Sequence, residues 1–278
     1  QFSPDAVRNE LVLVKGARVF GFEKIVQAFQ QKVHGTVLEV NLDALVHNLN
    51  YYRSKLQPGT KLMVMVKAFA YGSGSFEVAN LLQFHRVDYL AVAYADEGVM
   101  LREHGITLPI MVMNPSPDSF AKIKQYNLEP EIYSLEILQA LINTAEPGAM
   151  YKIHLKLDTG MHRLGFVEED FDALFALLQQ HPQVQVVSAF SHLAGADEAL
   201  HNDFSQLQIA TFRSLAAEVE ARLGHPVIKH ILNSAGIVRF PEHQLDMARL
   251  GIGLYGVEAT GSEQEALRPV SILKTTVS

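Results

Sequence analysis

Cysteine is absent from the 278 residues of the sequence, which excludes a disulfide framework and any zinc site built from thiolates. No apolar run reaches the roughly 18 residues that a membrane-spanning helix needs. The amino terminus lacks the basic and then apolar pattern of a signal peptide. We therefore expect a cytoplasmic protein without a membrane span.

Clusters of basic residues are also missing. Lysine and arginine total 23 against 30 aspartates and glutamates, which gives a formal net charge of -7 and argues against nucleic acid or an anionic membrane surface as a partner. Hydrophobic residues make up 48% of the chain, enough to fill one α/β barrel or two smaller domains. Small molecules are the expected ligands.

Strand-like and helix-like segments alternate along most of the chain. The strand-like runs are 62–66, 89–93, 110–113, 129–133, 153–157, 184–190, 228–232 and 250–255. Eight repeats over roughly 200 residues predict an α/β fold of the (β/α)₈ TIM-barrel type. A doubly wound open sheet is the alternative, but its Gly-x-Gly-x-x-Gly fingerprint follows none of these runs. A further strand at 37–42 precedes a helix that we expect Asp43 to cap.

The stretch from Lys61 to Gly74, KLMVMVKAFAYGSG, joins a buried strand to an aromatic, glycine-bearing turn. Lys67 directly follows the strand, and in parallel α/β folds the carboxyl ends of strands face the ligand site. Apolar neighbours favour the neutral amine that Schiff-base chemistry needs. Tyr71 and the glycines after it bring a phenol and open backbone N–H groups. Taken alone, however, this pattern is more typical of a solvated strand end.

Polar residues also follow the later strands of the predicted barrel. Each has an ordinary explanation, such as a helix-capping turn at 158–160, a structural histidine at His192 or an N-cap at Ser234. A barrel would nevertheless bring all of them to one mouth. The residues are Lys156, Asp158, Gly160, Arg163, Ser191, His192, Asn233, Ser234, Gly236, Arg249, Gly251 and Tyr255.

Together these groups fit one ligand. The last two strand ends of a barrel are the usual phosphate site, where Ser234 and the backbone at Gly251 supply donors. Lys67 would bind an aldehyde, and Arg249 and Arg163 would face a ring nitrogen and a phenolic oxygen. Pyridoxal 5'-phosphate carries all of these groups. A metal site is less favoured, because the carboxylates and histidines have no close ligand spacing.

Five motifs in order, VMVKAFAYGSG, HLKLDTGMHRLG, SHLAG, NSAG and RLGIGLYG, resemble those of the bacterial alanine racemases, which are fold type III pyridoxal-phosphate enzymes. The resemblance runs from about Thr36 to the end of the sequence. It implies interconversion of L- and D-alanine for peptidoglycan synthesis by a cytoplasmic homodimer, with alanine as the small-molecule substrate.

The resemblance also implies a role for individual residues. Lys67 would bind the cofactor covalently and remove the α-proton of D-alanine. Arg249, supported by His192, would face the pyridine nitrogen. Arg163 would lie near the phenolic oxygen, held by Lys156, which many members carry as a carbamate; that anion would pair with the guanidinium, whereas a protonated lysine would repel it. Phosphate contacts would come from Tyr71, Ser234, and the backbone of Gly251 and Ile252.

By the same resemblance, residues 36–256 would form the barrel and 257–278 would begin a carboxyl-terminal β domain, which the strand at 37–42 would join. In the family that domain carries the second base, a tyrosine that acts across the dimer. This tyrosine has no match in the sequence. We therefore expect the chain by itself to bind the cofactor but not to racemise alanine.

Residues 1–35 carry a different resemblance. LVLVKGAR followed by a helical pattern looks like the carboxyl-terminal end of the Mur ligase that adds D-alanyl-D-alanine to the UDP-muramoyl tripeptide. The match covers about thirty residues. It predicts that the racemase is fused to such a ligase.

Two other functions remain open at this point. One is a single-barrel pyridoxal-phosphate homeostasis protein, against which the motif HLKLDTGMHRLG and the strand pattern at the end of the chain both argue. The other is a different fold type III enzyme, either an amino-acid decarboxylase or a racemase for serine or a wider set of amino acids.

Overall fold

A computed structural model of the chain describes residues 36–146 and 148–275, except for the side chains of Phe69 and Ser75. Contacts divide the chain into one unit of residues Val40–Ser271 and another that includes residues 36–39 and 272–275. The predicted strand and helix at 10–33 lie outside the described residues. So does the segment that resembles a Mur ligase.

Parallel strands form the larger unit. They are β2 (Lys61–Met65), β3 (Tyr89–Val92), β4 (Ile110–Val112), β5 (Glu129–Ile132), β6 (Tyr151–Lys156), β7 (Val184–Phe190), β8 (Ile228–His230) and β9 (Met247–Leu250). Two further strands, β1 (Val37–Val40) and β10 (Ser271–Lys274), form a separate two-stranded sheet. At the end of that sheet the hydroxyls of Thr36 and Thr275 lie 2.8 Å apart, and within it Lys274 pairs with Glu39 at 2.6 Å.

Helices connect the strands. They are α1 (Leu42–Ser54), α2 (Lys67–Tyr71), α3 (Ser75–Phe84), α4 (Ala95–Glu103), α5 (Phe120–Gln125), α6 (Leu135–Asn143), α7 (Phe171–Gln180), α8 (Asn202–Leu223) and α9 (Ser234–Arg239). None of the helices in the described ranges is long and apolar enough to cross a membrane.

The eight strands follow one another around a barrel in the order β9, β2, β3, β4, β5, β6, β7, β8. Between β8 and β9 the backbone closes the ring, because the N–H groups of Asp246 and Arg249 donate to the carbonyls of Lys229 and Leu232. This arrangement confirms the predicted (β/α)₈ barrel. It also brings the carboxyl ends of all eight strands to one mouth.

Three details of the predicted strands and helices are wrong. The last barrel strand is Met247–Leu250, and residues 252–255 form a 3₁₀ turn after Gly251 rather than the predicted strand at 250–255. The apolar run IGLY suggested a strand, but Gly253 within it allows a tight turn against buried Tyr52. Asn41, not Asp43, caps α1 by accepting from the N–H of Ala44. The short helix α2 forms where the sequence indicates only a turn.

The main apolar core lies between the barrel and its helices. Alternate strand residues such as Val64, Val92 and Val112 point outwards into it and are fully buried, as the period of two in a strand requires. A buried apolar face on both sides explains why these strands read as continuous hydrophobic runs.

The interior of the barrel has two different halves. The half formed by β2, β3, β4 and β9 is apolar and rich in methionine, with Met63, Met65, Ala91, Met111 and Met247. The half formed by β5 to β8 carries buried polar side chains that contact one another and Arg249 of β9: Glu129, Glu131, His154, Lys156, Ser188 and His230. The site described below lies above both halves.

On the outside of the barrel, Arg102 forms hydrogen bonds to several loops. From α4, the guanidinium of Arg102 donates to the backbone carbonyls of Tyr126, Ile106, Leu108 and Asn127, at 2.7 to 3.1 Å. Four loop carbonyls that would otherwise lack partners are satisfied by one side chain.

We expect Arg102→Met to lower the free energy of unfolding by about 2 kcal/mol or more, since single hydrogen bonds to charged groups contribute about 1.5–3 kcal/mol. Arg86→Met, at an exposed turn, is the matched control and should change stability by less than about 0.5 kcal/mol. Urea denaturation measures both. Equal midpoints for the two variants would contradict this role for Arg102.

Candidate active site

A cavity of about 380 Å³ opens at the carboxyl-terminal mouth of the barrel. All nine residues predicted for the site lie in its wall: Lys67, Tyr71, Lys156, Arg163, His192, Ser234, Arg249, Gly251 and Ile252. Met65, Met113, Phe190 and Leu193 add apolar surface, and Asp197 adds an exposed carboxylate. A cavity that combines apolar surface with convergent polar groups is typical of a small-molecule site.

Lys67 begins α2, with one residue between it and the end of β2, and is half-buried. The turn that follows is unusual, because Ala68, Ala70 and Tyr71 all have φ between 53° and 55°. Residues with a Cβ pay roughly 1–2 kcal/mol each in this left-handed region, and such strain is concentrated at functional sites. The turn carries the Tyr71 ring back beneath the Lys67 Nζ, which lies 6.0 Å from the ring centroid.

Glu97, on α4, holds this turn in place. Its two carboxylate oxygens accept from the N–H of Ala68 at 2.6 Å and from the N–H groups of Ala93 and Tyr94 at 2.7 and 3.2 Å. The carboxylate therefore joins the ends of β2 and β3. It fixes the backbone next to Lys67 without entering the cavity wall.

On the other side of the cavity, Ser234 lies at the start of α9. Asn233, rather than Ser234, is the N-cap residue, and its side chain accepts from the N–H of Gly236. The Ser234 Oγ accepts from the N–H groups of Gly251 and Gly253, at 2.9 and 3.3 Å. Both acceptor positions of the hydroxyl are thus used, which leaves its proton to donate.

Gly251 keeps this region open. A Cβ built there would lie 3.4 Å from the Tyr71 Oη and 3.8 Å from the Ser234 Oγ. Two hydroxyls therefore converge on the space that a larger residue would fill. Burial raises the pKa of the Tyr71 phenol, so this hydroxyl keeps its proton at neutral pH and can donate to an anion.

Arg249 occupies the floor of the cavity and is only 3% exposed. Its Nη1 donates to the His230 Nδ1 at 2.8 Å, and its Nη2 donates to the carbonyls of Ser191 and Ile231 at 2.6 and 3.1 Å. Burial lowers the pKa of Arg249 to about 10, against the opposing charge of Glu131. The guanidinium therefore stays charged at pH 7, and no described residue accepts from its Nε.

A chain of hydrogen bonds runs from Arg249 through the polar half of the interior. The His230 Nε2 contacts the Ser188 Oγ at 3.1 Å, this hydroxyl contacts the His154 Nδ1 at 2.6 Å, and the His154 Nε2 contacts Glu129 at 3.0 Å. An arginine can only donate, so the His230 Nδ1 accepts and each later group donates to the next. Burial holds the pKa of His230 well below its usual range, consistent with this neutral tautomer.

His192 lies beside Arg249, with its Nδ1 3.4 Å from the Nη2. Burial, and then the charges of Arg249, Lys156, Arg163 and Lys67, lower the pKa of His192 to about 3. The imidazole is therefore neutral at physiological pH. It supports the guanidinium as an acceptor instead of adding another positive charge.

The loop from Asp158 to Phe166 carries Arg163 over the cavity. Its two ends are joined by backbone bonds between Asp158 and Phe166 and between Phe166 and Lys156. Asp158 accepts from the N–H groups of Gly160 and His162, so its role is to shape this loop rather than to cap a helix. Lys156, at the end of β6, pairs with Glu131 at 3.3 Å.

Tyr255 serves the scaffold. Its Oη donates to the carbonyl of Met65 at 3.0 Å, and its ring packs 4.6 Å from that of Tyr71. This contact links the turn after β9 to the end of β2 just before Lys67.

Sequence reasoning missed the residues behind the cavity: Glu97, Glu129, Glu131, His154, Ser188 and His230. One signal was present. Glu129 and Glu131 on one predicted strand, and His154 and Lys156 on the next, are ionisable residues two apart, which places each pair on a single strand face. Ionisable residues within strands predicted to be buried imply partners across the barrel.

The fold and this cavity define a (β/α)₈ barrel with a small-molecule site at its carboxyl-terminal mouth. The family model of the alanine racemase N-terminal domain matches residues 40–259. Alanine racemase from Clostridium tetani is 37% identical over 246 residues, which are 86% of this chain and 63% of that protein. The Synechocystis enzyme is 38% identical over 79% of this chain and 60% of its own length.

Solved structures agree with these similarities. Alanine racemase from Clostridium difficile 630 superimposes with a TM-score of 0.80 at 34% identity, covering 87% of this chain and 64% of that one. The chain belongs to the alanine racemase family. It spans about 60% of the length of the curated relatives described above.

We expect Ser188→Ala to destabilise the protein by about 1–3 kcal/mol, because it leaves the buried nitrogens of His154 and His230 without their shared partner. Ser54→Ala, at the exposed end of α1, is the control and should have an effect below about 0.5 kcal/mol. Thermal and urea unfolding measure both variants. A Ser188→Ala protein as stable as the control would show that the chain of hydrogen bonds does not operate as described.

Proposed function

We propose that the protein containing this chain is a pyridoxal-phosphate-dependent alanine racemase. The observation that carries the proposal is the convergence of Lys67, the Tyr71 and Ser234 hydroxyls and the buried Arg249 on one cavity. Identities of 37–38% to alanine racemases over most of the chain support it.

The residues of the cavity fit this cofactor. The two hydroxyls beside Gly251 suit a phosphate, and Ser234 has its proton free to donate. The backbone N–H of Gly251 is donated to Ser234, so Gly251 would help mainly by orienting that hydroxyl. When bound, pyridoxal phosphate would withdraw electrons from the α-carbon of an amino acid and make its α-hydrogen acidic.

Lys67 would hold the cofactor and then act as the base on one face of the substrate. The Nζ reaches the cavity from a backbone that Glu97 fixes, so its approach to the α-carbon is defined by a rigid turn. A base on one side of a planar centre removes or returns a proton on that side only. Inversion therefore requires a second acid or base on the opposite face.

Arg249 would face the ring nitrogen with its Nε, since both Nη groups are bound to the protein. An arginine holds its proton firmly, so the ring nitrogen would stay largely unprotonated. Less charge is then drawn into the ring, which limits side reactions. His192 and His230, both neutral, keep the guanidinium in place as acceptors.

For Arg163 and Ile252 we propose contacts with the phenolic oxygen and the phosphate, respectively, on the strength of their places in the cavity wall. A homodimer, a cytoplasmic location, a role in peptidoglycan precursor supply and a fused Mur ligase follow only from the sequence resemblance and stay predictions. The division at residues 35 and 256 is also a prediction.

Of the alternatives, the single-barrel homeostasis protein is disfavoured by the β1–β10 sheet outside the barrel and by the similarity to alanine racemases. A related fold type III racemase or decarboxylase would use the same cavity. Assays with serine and other amino acids distinguish it from an alanine racemase.

The first test concerns Lys67. Protein incubated with pyridoxal phosphate should gain a visible absorbance band, and borohydride followed by peptide mapping should place the label on Lys67. The Lys67→Ala variant should lose the label. Lys61→Ala, at the opposite and exposed end of β2, should keep it. Labelling of another lysine in the wild-type protein would refute the assignment.

A second test concerns the two faces of the substrate. In deuterated solvent, the 278-residue chain should exchange the α-hydrogen of D-alanine without inverting it, whereas the complete protein should label both enantiomers. Lack of one acid or base group typically lowers a rate by ~10² to 10⁴. Racemisation by the chain at the rate of the complete protein would overturn the expectation that the second base lies outside it.

A further inference from the structure

Glu131 is the most deeply buried carboxylate next to the cavity. It lies on β5, only 1% exposed, with its Oε1 3.3 Å from the Nζ of Lys156. Its other oxygen, Oε2, is also buried and has no hydrogen-bond partner among the described residues. A buried carboxylate with one partner is costly, and its position calls for an explanation.

The positive charges around the cavity explain the position of Glu131. Lys67, Lys156, Arg163 and Arg249 all line it, so four cationic side chains share one small space. Asp197 is also in the wall, but it is exposed. Glu131 is buried beneath the cations, and Lys156, Arg249 and Arg163 all stabilise its negative charge.

Lys156 is enclosed as well as paired. Its Nζ lies between the Glu131 carboxylate and the face of the Phe190 ring, 4.7 Å from the ring centroid. Burial lowers the pKa of Lys156 and raises that of Glu131, while each charge favours the ionised form of the other. A charged pair with good geometry offsets part of the cost of burying both groups.

We propose that Glu131 is a positioning residue that supplies the buried negative charge of this site, so that Lys156 works as an unmodified ammonium group rather than as a carbamate. Glu131 fixes Lys156 against Phe190 and balances the charges of Arg163 and Arg249. The positioning role rests on the proposed function, whereas the unmodified state of Lys156 does not.

Carbamylation would conflict with this arrangement. Lys156 would first lose a proton to solvent. Its neutral Nζ would then attack CO₂, forming a nitrogen–carbon bond as one C=O π bond breaks, and a second proton would leave to solvent, so that a positive group becomes a negative one. The new carboxylate would then lie beside that of Glu131. Two carboxylates so close together and shielded from water cannot both be ionised without a large cost in free energy.

The first experiment tests the chemical state of Lys156. Complete protein equilibrated with ¹³C-labelled bicarbonate should give no carbamate carbon in its ¹³C NMR spectrum. The Glu131→Gln variant lacks the competing carboxylate charge, so we expect it to give a carbamate signal. That signal should disappear in the Glu131→Gln/Lys156→Arg double variant. A carbamate in the wild-type protein, or none in Glu131→Gln, would overturn the proposal.

The second experiment tests positioning. Glu131→Gln should lower kcat roughly 10- to 100-fold, the size known for groups that orient the ligands of a metal, and added bicarbonate should restore part of the activity. Glu131→Asp keeps the charge and should retain more activity without needing bicarbonate. Glu136→Gln, the same change at an exposed position on α6, should match wild type.

The outcomes separate this proposal from the proposed function. A protein without racemase activity would refute that function, and the NMR spectrum would still decide the state of Lys156. Full activity in Glu131→Gln, with no response to bicarbonate, would refute the positioning role in an active racemase.

Discussion

The charge of Arg249 is the constraint on which the rest of the site depends. A guanidinium only 3% exposed loses its water, so the barrel must supply acceptors for it. Backbone carbonyls after β7 and β8 accept some of its hydrogen bonds, and the rings of His230 and His192 accept others. Both histidines can accept only as neutral rings, so the burial that lowers their pKa values is part of how the arginine is held.

The same requirement explains the two halves of the barrel interior. A series of hydrogen bonds leads from Arg249 through polar residues of β8, β7 and β6 to Glu129 on β5, where the series ends. On the opposite side, methionines from β2, β4 and β9 fill the interior, and their flexible side chains suit an irregular space. Burial raises the pKa of Glu129, but the bond from His154 and nearby charges outweigh it and hold that pKa below its usual value. The carboxylate therefore stays ionised.

Strand periodicity in the sequence was sufficient to predict the barrel. The nine site residues, all of which lie in the cavity wall, were predicted from strand ends together with the five motifs. The sequence was not sufficient for Glu131 or Ser188. Their partners come from neighbouring strands whose register, such as Glu131 opposite His154, is set only when the sheet closes. The left-handed turn after Lys67 was also missed, since alanine and tyrosine do not mark it as glycine would.

The sheet of β1 and β10 has a topological consequence. The side chains of Thr36 and Thr275 touch, although all eight barrel strands lie between them in sequence. A segment whose two ends are adjacent can be inserted into a longer polypeptide, or carry other domains on both sides, without rethreading its own fold. The barrel strands can therefore lie within a longer polypeptide without any change in their order around the ring.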